Sequence, residues 1–356
     1  MAVNTGTYDI SALLEVRNTS AAAFGMDTIA AVLNAELEAH NQNVAAIMSD
    51  LVEGTKDVQN IYGSSTDGAM VEVDEYGLGP TQAPRVGSQV AFPMRKFQFN
   101  TGWTNDFFRR ATPSDFAQSA IDAQAAHLKK IRQIVAQAVF GSSNYTWVDK
   151  FGKGISLGVK RFVNADSAAI PDGPNGETFD GSTHTHYDAT ASLTNANLLA
   201  SLQDVVEHGH GTGLRIAINR TNLAAVAALS DFTKLLDLEN LVATTASTTA
   251  RAALDTTRLD NLMVGIFNGA QVWVRPWVPA NYAFVYSAGD ARKPVRVRVP
   301  DWQGVLAPQL SLAATYNQHP LTAQAYESYF GAGVWTRTNG AVLYFGGASY
   351  TDPTIS

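Results

Sequence analysis

The chain contains no cysteine. That absence excludes disulfide frameworks, thiolate metal sites and cysteine nucleophiles, and it fits assembly in a reducing cytoplasm. No stretch approaches the roughly eighteen apolar residues of a membrane span, and the opening MAVNTGTYDI has no basic cluster followed by an apolar run, so neither a span nor a secretory leader is expected. Basic residues are also short. The 25 Lys and Arg stand against 32 Asp and Glu, and a net charge of −7 argues against wrapping nucleic acid through phosphate contacts. No glycine-rich phosphate loop follows an expected strand, and no Gly-x-Ser-x-Gly occurs. What remains is 356 residues, 46% hydrophobic, with a mean hydropathy of −0.06, enough for about two or three domains and a sizeable core.

The most complete local signal runs from Thr112 to Gly141, TPSDFAQSAIDAQAAHLKKIRQIVAQAVFG. Thr112 can cap the first turn, Pro113 suits the first helical position, Asp115 completes a capping box, and Gly141 offers a left-handed end. Ala117, Ile121, Gln124, Leu128, Ile131, Val135 and Ala138 recur every three or four residues, while Asp122, Lys129, Lys130, Arg132 and Gln133 fall elsewhere. The spacing predicts a straight strut roughly 40 Å long with one apolar stripe.

Upstream, Thr28 to Val52 is helix-prone with a broken apolar stripe and Asp27 as its cap, and reads equally as a surface helix or as an arm docked on a neighbour. From Gly54 to Trp103 the period changes. Val71 and Val73 alternate with Glu72 and Asp74, Phe97 and Phe99 alternate with Lys96 and Gln98, and YGLGPTQAPRVG between them cannot continue a ladder. A long two-stranded hairpin with a loose tip is expected, too thin to be stable alone. Its charges are segregated: Asp67, Glu72, Asp74 and Glu75 on the outgoing arm, Arg85, Arg95 and Lys96 on the return. They serve as solvated faces or as pairs with a neighbouring subunit.

Residues 144 to 192 give one or two strands in KGISLGVKRFV, then turn chemistry that reads as a surface insertion. A compact α/β unit follows. LTNANLLASLQDVVEHG is a helix capped by Thr194 or Asn195, LRIAINR a buried strand, TNLAAVAALS a second helix, SDFTKLLDLENL helix or turn, residues 242 to 257 a loop at a domain tip, and LMVGIFNGAQVWVRPWVPANYAFVYSA strands broken by Gly and Pro. In KPVRVRVP, Val295, Val297 and Val299 alternate with Arg296 and Arg298, one face buried and one basic. The Thr338-Asn339-Gly340 turn predicts a hairpin between apolar strands that pack on the long helix. Trp147, Trp273, Trp277, Trp302 and Trp335 sit in apolar strands or beside prolines and are expected as core or interface anchors.

This order of parts, closing on an F-G-x-G-V-x-x-R-x-N-G-A-V segment carried by Phe330, Gly331, Gly333, Val334, Arg337, Asn339, Gly340, Ala341 and Val342, resembles the major capsid protein of tailed bacteriophages, the Hong Kong 97 type fold. INRTNLAAVAAL and LMVGIFNGAQVWVRPWVP resemble the strand–helix and the glycine-centred strand pair of that family's axial domain. The resemblance implies an α+β fold: an N-terminal arm (1–53), an extended hairpin loop (54–104), a peripheral domain (105–192 and 291–356) with spine helix 113–140, and an axial domain (193–290). It implies self-assembly of hexamers and pentamers into an icosahedral shell around double-stranded DNA, touched only non-specifically, in a virion assembled in the host cytoplasm. No enzymatic activity, no cofactor and no membrane partner go with it. A portal would be a further partner, with a decoration protein optional. Some relatives carry an N-terminal scaffolding segment; this chain reaches the hairpin soon after Gly54, so a separate scaffolding protein is expected. Some cross-link the hairpin through a Lys–Asn isopeptide bond; no lysine lies between Asp57 and Arg95, so none is expected here. Candidate subunit contacts are Glu72, Asp74, Glu75, Arg85, Arg95 and Lys96 on the hairpin, with Glu72, Asp74 and Glu75 meeting Arg109, Arg110, Lys129 or Arg132 of another copy. An encapsulin-like nanocompartment shell is the alternative within the fold.

A competing reading from another class rests on two His-x-His pairs, His184 and His186 with Asp188 in HTHYD, and His208 with His210. Alternate residues of a strand could reach one ion, as in a metal-dependent hydrolase. HTHYD, however, lies in Gly/Asp/Ser-rich chain with no strand before it, and the second pair follows a helix end where a cationic imidazole is at home, so neither a catalytic nor a metal site is expected.

Overall fold

The computed structural model describes residues 8–47, 49–62, 70–77, 79, 88–104, 107, 110–152, 154–235, 261–318 and 321–355. Helices Ile10–Glu15, Ala21–Phe24 and Met26–Ile47 precede β1 (Val52–Thr55), β2 (Gln59–Tyr62), β3 (Ser88–Ala91) and β4 (Arg95–Thr104), and then the long helix Pro113–Phe140. Next come β5 (Tyr145–Asp149), β6 (Ile155–Val159), β7 (Tyr187–Ala189), helix Asn195–Val206, β8 (Leu214–Ile218), the short helix Leu223–Ala227 and β9 (Phe232–Lys234). The last elements described are strands: β10 (Leu262–Phe267), β11 (Ala270–Val274), β12 (Tyr282–Ser287), β13 (Val295–Arg298), β14 (Ser311–Gln318), β15 (Leu321–Val334) and β16 (Ala341–Tyr344).

Two sheets pack around the long helix. One is mixed and seven-stranded, in the order β7-β16-β12-β8-β11-β10-β9; the other is five-stranded, β1-β13-β15-β14 with β4 also on β15. Period-2 alternation assigns the faces of the larger sheet. Ala217, Phe284, Tyr286 and Val342 face a core shared with Val135, Val139 and Phe140 of the helix and with Val295, Val297 and Phe330 of the smaller sheet. Ile216, Ile218, Ala283, Val285 and Leu343 face the other way, onto Leu198, Leu202 and Val205 of helix 195–206 and onto Leu223. β7 and β16 lie outside residues 193–290, so this sheet crosses the division expected there.

The long helix begins as its sequence reads. Thr112 is extended, and the Asp115 carboxylate accepts from both its backbone N–H (2.9 Å) and its hydroxyl (3.0 Å). Its end differs. Gly141 has φ −73°, not a left-handed value, and a Cβ there would stand 2.8 Å from the Arg161 guanidinium, the mobile end of a long side chain. Burial also extends beyond the expected stripe to Ala120, Ala123 and His127, because β15 and the N-terminal helices cover different sides. Residues 10–47 lie on their own chain: Leu13, Phe24 and Ile29 close over Phe116 and Ala117. Asp27 falls inside the first turn of helix 26–47 and does not precede it. Beyond that helix, the Asp50 carboxylate accepts from Arg215 (2.5 Å), Arg275 (2.7 Å) and the Tyr286 hydroxyl (2.7 Å), fastening the arm to the large sheet.

Three strand expectations change. Residues 70–77 are exposed coil, while the hairpin itself is β2 on β3. β4 pairs over its whole length with β15 and not with the outgoing arm, which gives Phe97 a buried partner in Phe330. The Thr338-Asn339-Gly340 turn joins no hairpin, since β15 and β16 belong to different sheets and residues 335–340 cross between them. Two lesser differences follow. Phe232–Lys234 is an edge strand, and Arg298 of the expected basic face is buried against Asp149 at 2.6 Å. The tip expected at 242–257 lies outside the described residues.

The crossing is held by buried polar groups. Arg337 donates to the carbonyl of Arg161 (2.7 Å) and to Asn164 Oδ1 (3.0 Å), and meets Asp166 at 3.1 Å. Asn339 accepts from the Ser287 N–H (2.8 Å) and donates to its C=O (3.1 Å). A Cβ on Gly340 would lie 2.5 Å from the Phe162 ring, and one on Gly331 2.0 Å from the Pro93 carbonyl oxygen. The F-G-x-G-V-x-x-R-x-N-G pattern is thus the chemistry of a tight passage between sheets. Asn339 and Ser287 are fully buried, so Asn339→Ala strands both Ser287 groups and should cost about 3 kcal/mol. Urea denaturation of the soluble subunit measures this, and a loss below about 0.5 kcal/mol, the range of an ordinary surface change, would refute it.

A second buried line joins His40 Nε2 to His127 Nδ1 (3.0 Å) and His127 Nε2 to Ser328 Oγ (2.9 Å). Burial, reinforced by the neighbouring His40, pulls the His127 pKa down to about 3. The unfolded chain therefore binds a proton below its ordinary 6.5 while the fold does not, and stability falls as pH drops from there toward about 3. His127→Gln should flatten the acid dependence of the unfolding free energy, read by urea titration, by up to about 1.4 kcal/mol per pH unit; an unchanged slope would contradict the assignment.

Candidate functional site

Among the described residues, the hairpin tip carries the most exposed large apolar side chains. Met70 is 104% exposed and Tyr76 89%, with Val71 and Val73 half exposed between the solvated carboxylates Glu72, Asp74 and Glu75. Four large apolar side chains on one coil have no core beneath them. The base of the hairpin is fixed by contrast, with Tyr62, Val90, Phe92 and Trp335 in one cluster and the Tyr62 hydroxyl on Thr338 (2.9 Å).

The other proposed contact residues divide into three kinds. Lys96 pairs with Glu327 at 2.5 Å and Arg95 stacks over Trp147 at 4.4 Å, so both serve their own chain. Lys129 is exposed on the long helix, and Arg132 lines an apolar groove with Val44, Val52, Leu128 and Leu306. Arg110 closes the segment before that helix, and Arg85 and Arg109 lie outside the described residues. Among the described residues no ion pair joins the acidic tip to this helix. The tryptophans are anchors as expected, Trp273 between Arg215 and Arg275 and Trp335 under Arg296 at 4.1 Å, except that Trp302 is 70% exposed.

The histidines, for which no joint role is expected from sequence, come together. His184, His186 and His208 point their Nε2 atoms at one another, at 3.2 Å (His184–His186), 3.0 Å (His184–His208) and 3.1 Å (His186–His208). What holds HTHYD is a bridge between Thr185 and Asn164 and the pairing of β7, which begins at Tyr187, on β16. Glu207 Oε1 lies 3.3 Å from His184 Nε2 and 3.8 Å from His208 Nε2. Burial drives the pKa of His186 down to about 3 and, with its histidine neighbours, that of His208 to about 2, so His208 is not the cationic helix-end imidazole expected from sequence. His210 stands apart, on Asp290 (2.5 Å) and Thr338 (2.8 Å). Asp188 turns to Ser201 and Asp204, and burial, with Asp188 beside it, pushes the Asp204 carboxyl well above the ordinary carboxylate range.

Comparison with solved structures matches the whole chain to a protein of Mycobacterium phage Patience, with a TM-score of 0.62 at 15% identity over 98% of this chain and 96% of that one. The chain has the Hong Kong 97 type capsid fold. Further matches are the capsid of the empty GTA particle (TM-score 0.49, 12% identity, 85% and 90% of the two chains) and the capsid asymmetric unit of cyanophage A-1(L) (0.45, 12%, 85% and 92%). No protein-family model and no curated protein matches the sequence. Among the described residues no helix is long and apolar enough to cross a membrane.

Proposed function

We propose that the chain is a major capsid protein, one of many copies that close as hexamers and pentamers into the icosahedral shell of a tailed bacteriophage. The fold supports this, and the observation that carries it is the hairpin tip. Met70, Val71, Val73 and Tyr76 are apolar, outlying and uncovered by their own chain, as a contact surface for a second copy would be. In this reading residues 193–290, completed by β7 and β16, form the axial domain, 105–192 and 291–356 the periphery, 54–104 the reaching loop and 1–53 the arm. The role is structural, in the virion, with DNA touched only weakly by a chain of net charge −7. A separate scaffolding protein and a portal are the proposed partners. Co-expression with its scaffold should give closed particles by negative-stain microscopy, and soluble monomer under every condition would count against the reading. Closed particles without any scaffold would favour a cargo compartment.

Within that frame, Glu72, Asp74 and Glu75 meet basic groups of a neighbour, with Lys129 and Arg132 as partners on an apolar-rimmed helix face. The double reversal Glu72→Lys with Asp74→Lys touches only solvated side chains, so the isolated subunit should keep its stability within about 0.5 kcal/mol. Particle yield should fall, most at low salt where screening is weakest. Undiminished yield at low salt would remove the idea.

A further inference from the structure

We propose that His184, His186, His208 and Glu207 form a structural site for one divalent transition metal, zinc by its chemistry, that fastens the 160–186 crossing, the connection from β6 to β7, to the end of helix 195–206. The proposal does not depend on the shell reading.

The geometry comes first. Three imidazole nitrogens lie at 3.0, 3.1 and 3.2 Å from one another. They cannot satisfy one another by hydrogen bonding, because each offers a single proton or a single lone pair along one in-plane direction. A tetrahedral zinc with Zn–N of about 2.0–2.1 Å holds its nitrogens about 3.3 Å apart, close to the triangle seen. His186 fixes the protonation pattern: its Nδ1 donates to the Gly340 carbonyl at 2.8 Å, so its Nε2 presents a lone pair to the cluster. A backbone carbonyl behind an imidazole is the usual outer support of a metal-binding histidine.

The fourth donor is a carboxylate. Glu207 Oε1 is buried and accepts no hydrogen bond, and a cation held by the three histidines would supply the partner it lacks. Phe179 lies over the histidines, its ring centroid 4.1 Å from that of His208 and 5.0 Å from that of His184, and keeps water from that side. Three nitrogens and one oxygen suit zinc, whereas magnesium and calcium take oxygen donors. Four protein ligands leave no open position for a reacting water, so the site is structural and not hydrolytic. Its mechanical sense lies in what it joins. The crossing carries left-handed Ala165 and Ser167 and long turn-rich stretches, while helix 195–206 is packed into a core.

The test uses the full chain, stripped with EDTA, reloaded with zinc and passed over gel filtration before metal analysis. About one zinc per chain is expected, with a higher melting temperature than the stripped protein and, with cobalt(II) instead, the visible absorption of a four-coordinate ion. His184→Ala and Glu207→Gln alter partly exposed side chains and should fold, yet retained zinc should fall at least about tenfold. His210→Gln, two residues along but outside the cluster, should keep it. The proposal is overturned if the wild-type chain retains less than about a tenth of an equivalent, far below the tight binding of a structural site. Equal retention by His184→Ala and His210→Gln, or a melting temperature indifferent to zinc, overturns it as well.

Discussion

The guanidinium of Arg337 is buried where the chain leaves one sheet for the other, and its donors reach back to Arg161, Phe162, Asn164 and Asp166. An unpaired charge in that place would cost several kcal/mol, so the segment after β6 is held to it. The other half of that pair adds to the hold: burial opposes the charge of the Asp166 carboxyl, but Lys160, which grips it at 2.6 Å, and Arg337 outweigh it and bring its pKa down to about 2, well below the ordinary range. Phe162, carried on this segment, enters the core between the long helix and the large sheet and meets Gly340 where a methyl would not fit. The relation of the two sheets, the course of the 160–186 crossing and the approach of His184 and His186 to His208 all follow from one crowded passage.

Elements whose partners are local or generic were legible. The capping residues and apolar period of Pro113–Phe140, the apolar runs of β8 and β12, the alternation of β13, and the glycine turn between β10 and β11 are set by neighbours within a few residues or by any apolar surface. Pairing across distance was not. Asn339-Gly340 has the chemistry of a hairpin turn, yet Asn339 spends its amide on Ser287, 52 residues away, and nothing local distinguishes the two uses. Arg298 reads as one tooth of a basic face, because its partner Asp149 is remote. Helix 26–47 reads equally as surface helix or arm, since what covers Ile29 comes from other helices.

The histidines show the same limit from the functional side. Two His-x-His pairs are visible in the sequence, but only three of those four residues converge, and Glu207 and Phe179 carry no signal that would join them. From sequence alone, turn-rich chain reads as too loose to hold rigid donors. Rigidity is supplied instead by strand pairing on either side of His186 and by the Gly340 carbonyl behind it, both products of the crossing.

β4 and the hairpin tip put the contrast most plainly, because both alternate apolar and charged residues. Phe97 and Phe99 became strand because β15 offers ten residues of unpaired backbone beside them and the long helix an apolar floor. Among the described residues Val71 and Val73 have neither, and they remain exposed coil. Alternation states what a segment would bury, and a second backbone decides whether it does so. For β4 that backbone lies in the same chain. At the tip, apolar side chains set among carboxylates lack it among the described residues, and in the proposed shell a neighbouring copy would supply one to every subunit at once.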